Sequence, residues 1–133
     1  MISLIFLSLA AICNAIMDTL QFHFYDSIFE KDIKTSSKWN QYWNPNISWR
    51  NKYINGEVAW GRKKILNIIN YPVFLTDGWH LFKSLMLSFL FLSIFTFNIK
   101  LDYWYYLPVL FIVYKTVWGM IFELFYKHIL IRK

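Results

Sequence analysis

The feature that most constrains this chain is the length of its uncharged apolar runs. Residues 1–17 contain no charged side chain, and neither do the 16 residues from Ser84 to Ile99. A third run, Tyr103–Leu130, holds only three Lys or Glu side chains. A membrane-spanning helix needs roughly 20 mostly apolar residues. The runs therefore predict an all-α integral membrane protein with three transmembrane helices, at about residues 2–22, 77–98 and 103–130.

The composition agrees with this prediction. Of the 133 residues, 57% are hydrophobic, 22% are aromatic and only 17% are charged. A soluble domain of this length has too little interior to bury so much apolar surface. The single cysteine, Cys13, cannot form an intramolecular disulfide. These properties argue against a soluble enzyme, a disordered chain and a disulfide scaffold.

The distribution of Lys and Arg predicts the orientation. A cleaved secretory signal has Lys or Arg before its apolar run. No Lys or Arg precedes the first apolar run here, so we expect an uncleaved first span. Residues 19–76 carry eight basic and four acidic residues, and the C-terminal tail adds Lys127, Arg132 and Lys133. The turn at Asn98–Asp102 has one basic residue. Since basic loops stay in the cytoplasm, we expect an inner (plasma) membrane protein with the N-terminus outside and the C-terminus cytoplasmic.

The segment between the first two spans, about residues 24–75, is polar and aromatic. Trp39, Trp43, Trp49 and Trp60 alternate there with Asn, Arg and Lys. Because Trp and Tyr concentrate at membrane–water boundaries, we expect a compact interfacial cap. Aromatic and basic residues also bind single-stranded nucleic acid, but these basic residues form no stripe, so we do not expect nucleic acid as a partner.

A basic cluster, Arg62, Lys63 and Lys64, precedes the apolar run ILNIINYPVFL. This pattern is typical of a short helix or re-entrant stretch in the interface that attracts anionic lipid. Two short intramembrane pieces within residues 64–98 would instead add a fourth, partial span. For the second span itself, Thr76 is the predicted N-cap.

Two segments resemble small integral membrane proteins of bacteria and their phages. One is Trp43–Lys52, with the pattern W-N-P-x-x-S-W-x-N-K, and the other is Thr76–His80, with the pattern T-D-G-W-H. The resemblance covers about half of the chain. It implies a small integral membrane protein and no particular activity.

Ionisable residues at membrane depth are costly, so each is a candidate functional residue. The predicted topology places most of them at the cytoplasmic leaflet, where the first and third spans end and the second begins. They are Asp18, His23, Asp26, Asp77, His80, Lys83, Glu123 and His128. His23 and Asp26 are three residues apart, as are Asp77 and His80, which puts each pair on one face of a helix.

Two histidines and two carboxylates on neighbouring helices form a candidate site for a divalent metal such as Zn, Mn or Fe. We predict four ligands, His23, Asp26, Asp77 and His80, with Asp18 or Glu123 as an assisting catalytic residue. A metal-bound water would attack an ester or phosphoester. Basic side chains would hold a lipid headgroup or phosphate, namely Arg62, Lys63, Lys64 and Lys83. The prediction is a hydrolase or transferase that acts on a lipid-linked or phosphorylated substrate.

The same residues also fit a role without catalysis. Buried carboxylates can pair with Lys or His to fix helix register, and Lys115 and Glu123 are the expected pair on the third span. The protein would then be a membrane assembly module of a phage or envelope, as a homo-oligomer or with a partner protein. A pore or transport subunit is the third alternative.

Overall fold

The computed structural model describes residues 2–30, 37–97 and 105–132. In chain order its α-helices are α1 (Ile2–Phe22), α2 (Ser37–Trp43), α3 (Pro45–Ser48), α4 (Gly78–Phe95) and α5 (Tyr106–Glu123). A π-helical extension, Leu124–Ile129, continues α5. Helices α1 and α4, together with α5 and its extension, are long and apolar enough to cross a membrane. The prediction of three such helices is confirmed, while the predicted turn Asn98–Asp102 lies outside the described residues.

Helix α1 is the centre of the bundle. Half of its apolar stretch is buried, against 11% of α4 and none of α5 with its extension. It packs most extensively on α4 and next on α5. Ala10, Ala11 and Ala15 are completely buried, because small side chains let neighbouring helices approach the backbone closely. The other two helices therefore cover α1 and leave their own outer faces exposed.

Contacts at the two ends of the bundle show that α1 runs antiparallel to α4 and in the same direction as α5. At one end, which we call the serine end, Ser3 contacts Ser93 and Tyr114. At the other, the cap end, Leu20 of α1 shares a buried apolar cluster with Leu130, just beyond the α5 extension. The N-terminus of α4 is also at the cap end. The structure therefore brings the candidate polar residues of all three long helices toward one end of the bundle.

Hydroxyl groups join the three helices at the serine end. The Ser3 hydroxyl donates to the Ser93 carbonyl oxygen at 2.8 Å, and the Ser93 hydroxyl donates to the Ser3 carbonyl oxygen at 2.9 Å. The Tyr114 hydroxyl donates to Ser3 Oγ at 3.0 Å. Ser3 and Ser93 are both buried, so these bonds satisfy polar groups that would otherwise be costly to bury.

The segment before α4 packs as an aromatic cap on the cap end. The ring of Trp43 lies 5.0 Å from that of Phe29 and 6.1 Å from that of Phe82, which belongs to α4. It also covers Gly78, where an added Cβ would be 2.4 Å from Trp43 Cε3. A residue without a side chain at the start of α4 therefore allows the cap to lie against the helix. A compact aromatic cap was predicted; its position at a membrane interface stays a prediction.

The basic cluster leads into a short β-hairpin, which differs from the short helix or re-entrant stretch expected there, while the described structure is otherwise mostly helical. Strand β1 (Lys64–Ile65) pairs antiparallel with β2 (Ile69–Asn70), with Ile65 opposite Ile69. A short apolar run rich in isoleucine does not distinguish a strand from a buried helix. Only a single 3-10 turn, Val73–Leu75, separates the hairpin region from Thr76. Within the described ranges the chain thus has no fourth helix able to span a membrane.

Helix α4 begins one residue later than expected, because Asp77 and not Thr76 is its N-cap. The Asp77 carboxylate accepts a hydrogen bond from the backbone N–H of His80 at 2.8 Å. The Thr76 hydroxyl instead donates to the carbonyl oxygen of Val73 at 2.7 Å and closes the preceding 3-10 turn. The threonine side chain is therefore occupied by the turn before the helix.

Candidate functional site

A cleft with both polar and aromatic lining residues opens at the cap end, where α1, the cap and the start of α4 meet. Gln21 contributes from the end of α1, and the remaining lining residues are Pro45, Ser48, Trp49, Lys52, Asp77, Trp79 and His80. Its volume is about 150 Å³, which is enough for a group the size of benzene. The cleft can therefore hold a phosphate or another compact headgroup, but not a whole lipid.

The centre of the cleft is a hydrogen-bonded pair, Asp77 and His80. His80 Nδ1 lies 2.7 Å from one Asp77 carboxylate oxygen and 2.9 Å from the other. Asp77 is 3% exposed, while the His80 side chain is 43% exposed. Because an ionised carboxylate only accepts hydrogen bonds, it places the proton of a neutral imidazole on Nδ1. The second ring nitrogen, Nε2, then has a lone pair that can accept a proton.

Two aromatic residues surround this pair. Trp79 packs edge-on against the His80 ring at 5.1 Å, and Lys83 Nζ lies 5.0 Å from the centre of the Trp79 ring. The buried indole N–H of Trp79 has no hydrogen-bond partner in the part of the chain that the structure describes. On the cap side, burial and the negative charge of Asp77 raise the pKa of Tyr42. The cleft therefore holds an oriented imidazole beside the ring of Trp79.

The structure does not group the four predicted metal ligands. The His23 ring packs against Tyr126 at 5.5 Å. The backbone carbonyl of Asp26 accepts from the N–H of Arg132 at 2.7 Å, and the Asp26 side chain is exposed. Among residues 2–30, 37–97 and 105–132, no three His, Cys, Asp or Glu side chains form a group that could hold a metal ion. Of the two predicted pairs, only Asp77 and His80 are brought into contact.

The predicted pair of Lys115 and Glu123 does not form, because Glu123 Oε1 bonds to Lys127 Nζ at 2.6 Å. Eight helical residues span about 12 Å, whereas four bring two side chains together on one face. Both Glu123 and Lys127 are exposed, and so is Lys115. Asp18 lies half-buried on α1 and does not line the cleft. Neither predicted assisting residue, Asp18 or Glu123, is therefore part of the cleft.

The predicted phosphate-binding residues also lie apart from the cleft lining. Lys64 belongs to the hairpin, Arg62 and Lys63 precede it, and Lys83 stacks on Trp79. The basic residue that lines the cleft is Lys52, which sequence reasoning did not select. Seven of the eight lining residues come from the two segments Trp43–Lys52 and Thr76–His80. Those two segments, which carried the resemblance, were the signal that could have located the site.

The fold and the cleft together define a class: a small helical protein whose described residues include three helices long and apolar enough to cross a membrane, with a cleft that holds an Asp–His pair next to an aromatic cap. Comparison with protein-family models, with curated proteins and with solved structures finds no match to this chain.

Proposed function

We propose that this chain is an integral membrane protein with its cap end in the cytoplasm and its cleft at the level of the lipid headgroups. The distribution of charge supports this orientation. Six basic residues lie in the described part of the cap, namely Lys38, Arg50, Lys52, Arg62, Lys63 and Lys64, and Lys127 and Arg132 follow near the end of the chain. Basic residues flanking spans favour the cytoplasmic side, and the aromatic cap suits the headgroup region.

We further propose that the protein is a hydrolase or transferase that acts on a phosphate-bearing lipid headgroup. The observation that carries this proposal is the Asp77–His80 pair in a cleft that is also lined by Lys52. A buried carboxylate that orients an exposed imidazole is a common arrangement for general acid–base catalysis. The cleft volume suits a phosphate, and Lys52 in the cleft lining supplies a positive charge for the phosphate oxygens.

In this mechanism His80 Nε2 removes a proton from the attacking water, or from the acceptor alcohol of a transferase. The attacking oxygen bonds to phosphorus as the bond from phosphorus to the leaving alkoxide breaks. The imidazolium, stabilised by Asp77, returns its proton to that alkoxide, so that His80 ends neutral. General acid–base catalysis of this kind contributes about 10²–10⁴-fold to a rate.

The cleft does not fit the divalent metal predicted from the sequence. Both Asp77 oxygens lie within hydrogen-bond distance of His80 Nδ1, and among the described residues no three His, Cys, Asp or Glu side chains form a group that could hold a metal ion. The proposed mechanism therefore uses His80 Nε2 as a base, and the metal content of the purified protein is measured separately.

The experiment is a headgroup-release assay on the purified protein in nanodiscs of defined phospholipids, with elemental analysis of the same sample. We expect release in the wild type and a loss of at least about 100-fold in His80→Gln. His128→Gln is the matched control, because His128 is exposed at the end of the α5 extension. Equal activity in His80→Gln and wild type would overturn the catalytic proposal.

An absence of turnover across the phospholipid panel, together with a defined oligomer, would favour the assembly role instead. For the orientation, a cysteine at Lys38 in a Cys13→Ser background should react with a membrane-impermeant maleimide only after cells are opened. Lys38 is exposed in the cap. Reaction in intact cells would place the cap end outside and refute the orientation.

A further inference from the structure

The hairpin β1–β2 carries an apolar tip that nothing in the described structure covers. Leu66 is 85% exposed, Ile68 is 79% exposed and Ile69 is 66% exposed, and Ile65 is also exposed. Four large apolar side chains within five residues form a patch of the kind that marks contact with a membrane or another protein. In the part of the chain that the structure describes, little packs against Leu66, Ile68 and Ile69, and Ile65 is 41% exposed.

The turn at this tip also has a backbone conformation that is unusual for its residues. The N–H of Ile68 donates to the carbonyl of Ile65, and the two central residues, Leu66 and Asn67, have φ angles of 51° and 58°. Two left-handed residues in succession form the type I′ turn of hairpins, which favours Asn-Gly. Asn67 suits this conformation, whereas a bulky residue such as Leu66 rarely adopts it. Neither packing nor turn chemistry accounts for an exposed leucine there.

The base of the hairpin is basic. Arg62, Lys63 and Lys64 are all exposed. Backbone hydrogen bonds hold this base on the cap, from Lys63 N–H to the Lys52 carbonyl at 2.9 Å and from Tyr71 N–H to the Lys63 carbonyl at 2.8 Å. A hairpin with an apolar tip and cationic residues at its other end is complementary to an anionic leaflet, because the cationic side chains can contact the headgroups while the apolar side chains reach the acyl chains.

We infer that the tip, formed by Ile65, Leu66, Ile68 and Ile69, inserts into the leaflet at the cap end, with Arg62, Lys63 and Lys64 on anionic headgroups. This inference rests on the membrane-spanning arrangement proposed above and is independent of the enzymatic role. Lys52 joins the two features, because it is a lining residue of the cleft and its backbone carbonyl accepts from the N–H of Lys63 at the hairpin base. The hairpin thereby attaches the cap to the bilayer and holds the cleft at headgroup level.

The test uses an environment-sensitive fluorophore on single cysteines in a Cys13→Ser background, reconstituted in vesicles that contain brominated lipid. A label at Leu66→Cys is expected to shift to shorter wavelength and to be quenched, more strongly with phosphatidylglycerol than with phosphatidylcholine alone. A label at Lys38→Cys, exposed in the cap, should stay unquenched. A label at Phe91→Cys, on the exposed face of α4, reports whether the helices are inserted.

Quenching at Phe91→Cys without quenching at Leu66→Cys would overturn the hairpin inference and leave the membrane-spanning arrangement intact. Loss of quenching at both positions would refute that arrangement itself. A Leu66→Asn change suits the left-handed turn, so it should preserve the hairpin while it lowers quenching of a label at Ile68→Cys by about half. Unchanged quenching in that variant would show that Leu66 is not an inserting residue.

Discussion

Replacing Asp77 by Asn separates the two roles that the structure gives to this side chain. One carboxylate oxygen, Oδ1, caps α4 by accepting from the His80 N–H at 2.8 Å and lies 2.9 Å from His80 Nδ1; the other, Oδ2, lies closer to Nδ1, at 2.7 Å. In Asp77→Asn the amide oxygen can keep the cap, because Asn caps helices as well as Asp does. The amide NH₂ then occupies the position of Oδ2 and faces the imidazole as a donor.

This exchange should reverse the tautomer of His80. The amide NH₂ would lie at the shorter distance, 2.7 Å from Nδ1, against 2.9 Å for the amide oxygen. The nearer donor favours a Nδ1 that accepts, so we expect the single proton of the neutral ring to move to Nε2. Nε2 then has no lone pair for a proton, and the acid–base contribution of about 10²–10⁴-fold in rate is lost. Stability should change little, because the cap is retained. Asp77→Ala removes the cap as well and should cost about 0.5–2 kcal/mol of unfolding free energy from that loss alone.

Nitrogen-15 correlation spectra of labelled histidines measure the tautomer directly, at a pH where the rings are neutral. The wild type should show a protonated Nδ1 and an unprotonated Nε2 for His80, and Asp77→Asn should show the reverse. Variants of His23 and His128 assign the other signals. Chemical unfolding of both Asp77 variants supplies the free energies.

Two results would refute this reasoning. An unprotonated Nε2 in Asp77→Asn would show that the carboxylate does not set the tautomer. An equal loss of stability in Asp77→Asn and Asp77→Ala would show that the Asp77 cap does not stabilise α4.

Two further substitutions test how the cap and the helices are held. Gly78→Ala places a methyl group 2.4 Å from Trp43 Cε3 and should cost about 1–3 kcal/mol of unfolding free energy. In a Trp43→Leu background most of that cost should disappear. An unchanged cost in that background would contradict a clash between the methyl group and Trp43. Ser3→Ala or Ser93→Ala breaks a bond between helices and should cost about 0.6–1.7 kcal/mol in a membrane. Ser88→Ala is the control, because its hydroxyl bonds within its own helix, and an equal cost there would contradict an interhelical role.

The sequence predicted the helices well because hydropathy and length are local properties. The first predicted span, about residues 2–22, matches α1 (Ile2–Phe22), and the other two spans differ from the structure by at most three residues at their described ends. The contact between Asp77 and His80 is also local, although its geometry is that of a helix cap: Asp77 is the N-cap of α4, and its carboxylate turns back onto the N–H and the ring of His80. Such features do not depend on the rest of the chain.

The rule that residues three apart share a helix face did not extend to His23 and Asp26, because it assumes that the helix continues. Helix α1 ends at Phe22, His23 has φ −134° and ψ 27°, and Asp26 closes a separate 3-10 turn. Outside an α-helix, a separation of three residues no longer places two side chains on one face. The hairpin was missed on similar grounds, since its apolar run is too short for periodicity to separate strand from helix.

The sequence by itself therefore determined three apolar helices, an aromatic segment between two of them and one local Asp–His pair. Only the tertiary structure decided where the cleft lies, because its walls come from segments about 30 residues apart that meet when Trp43 packs on Gly78. It also decided that Lys52, and not the basic cluster at Arg62, lines the cleft. Packing between distant side chains depends on shape complementarity, which residue spacing does not encode.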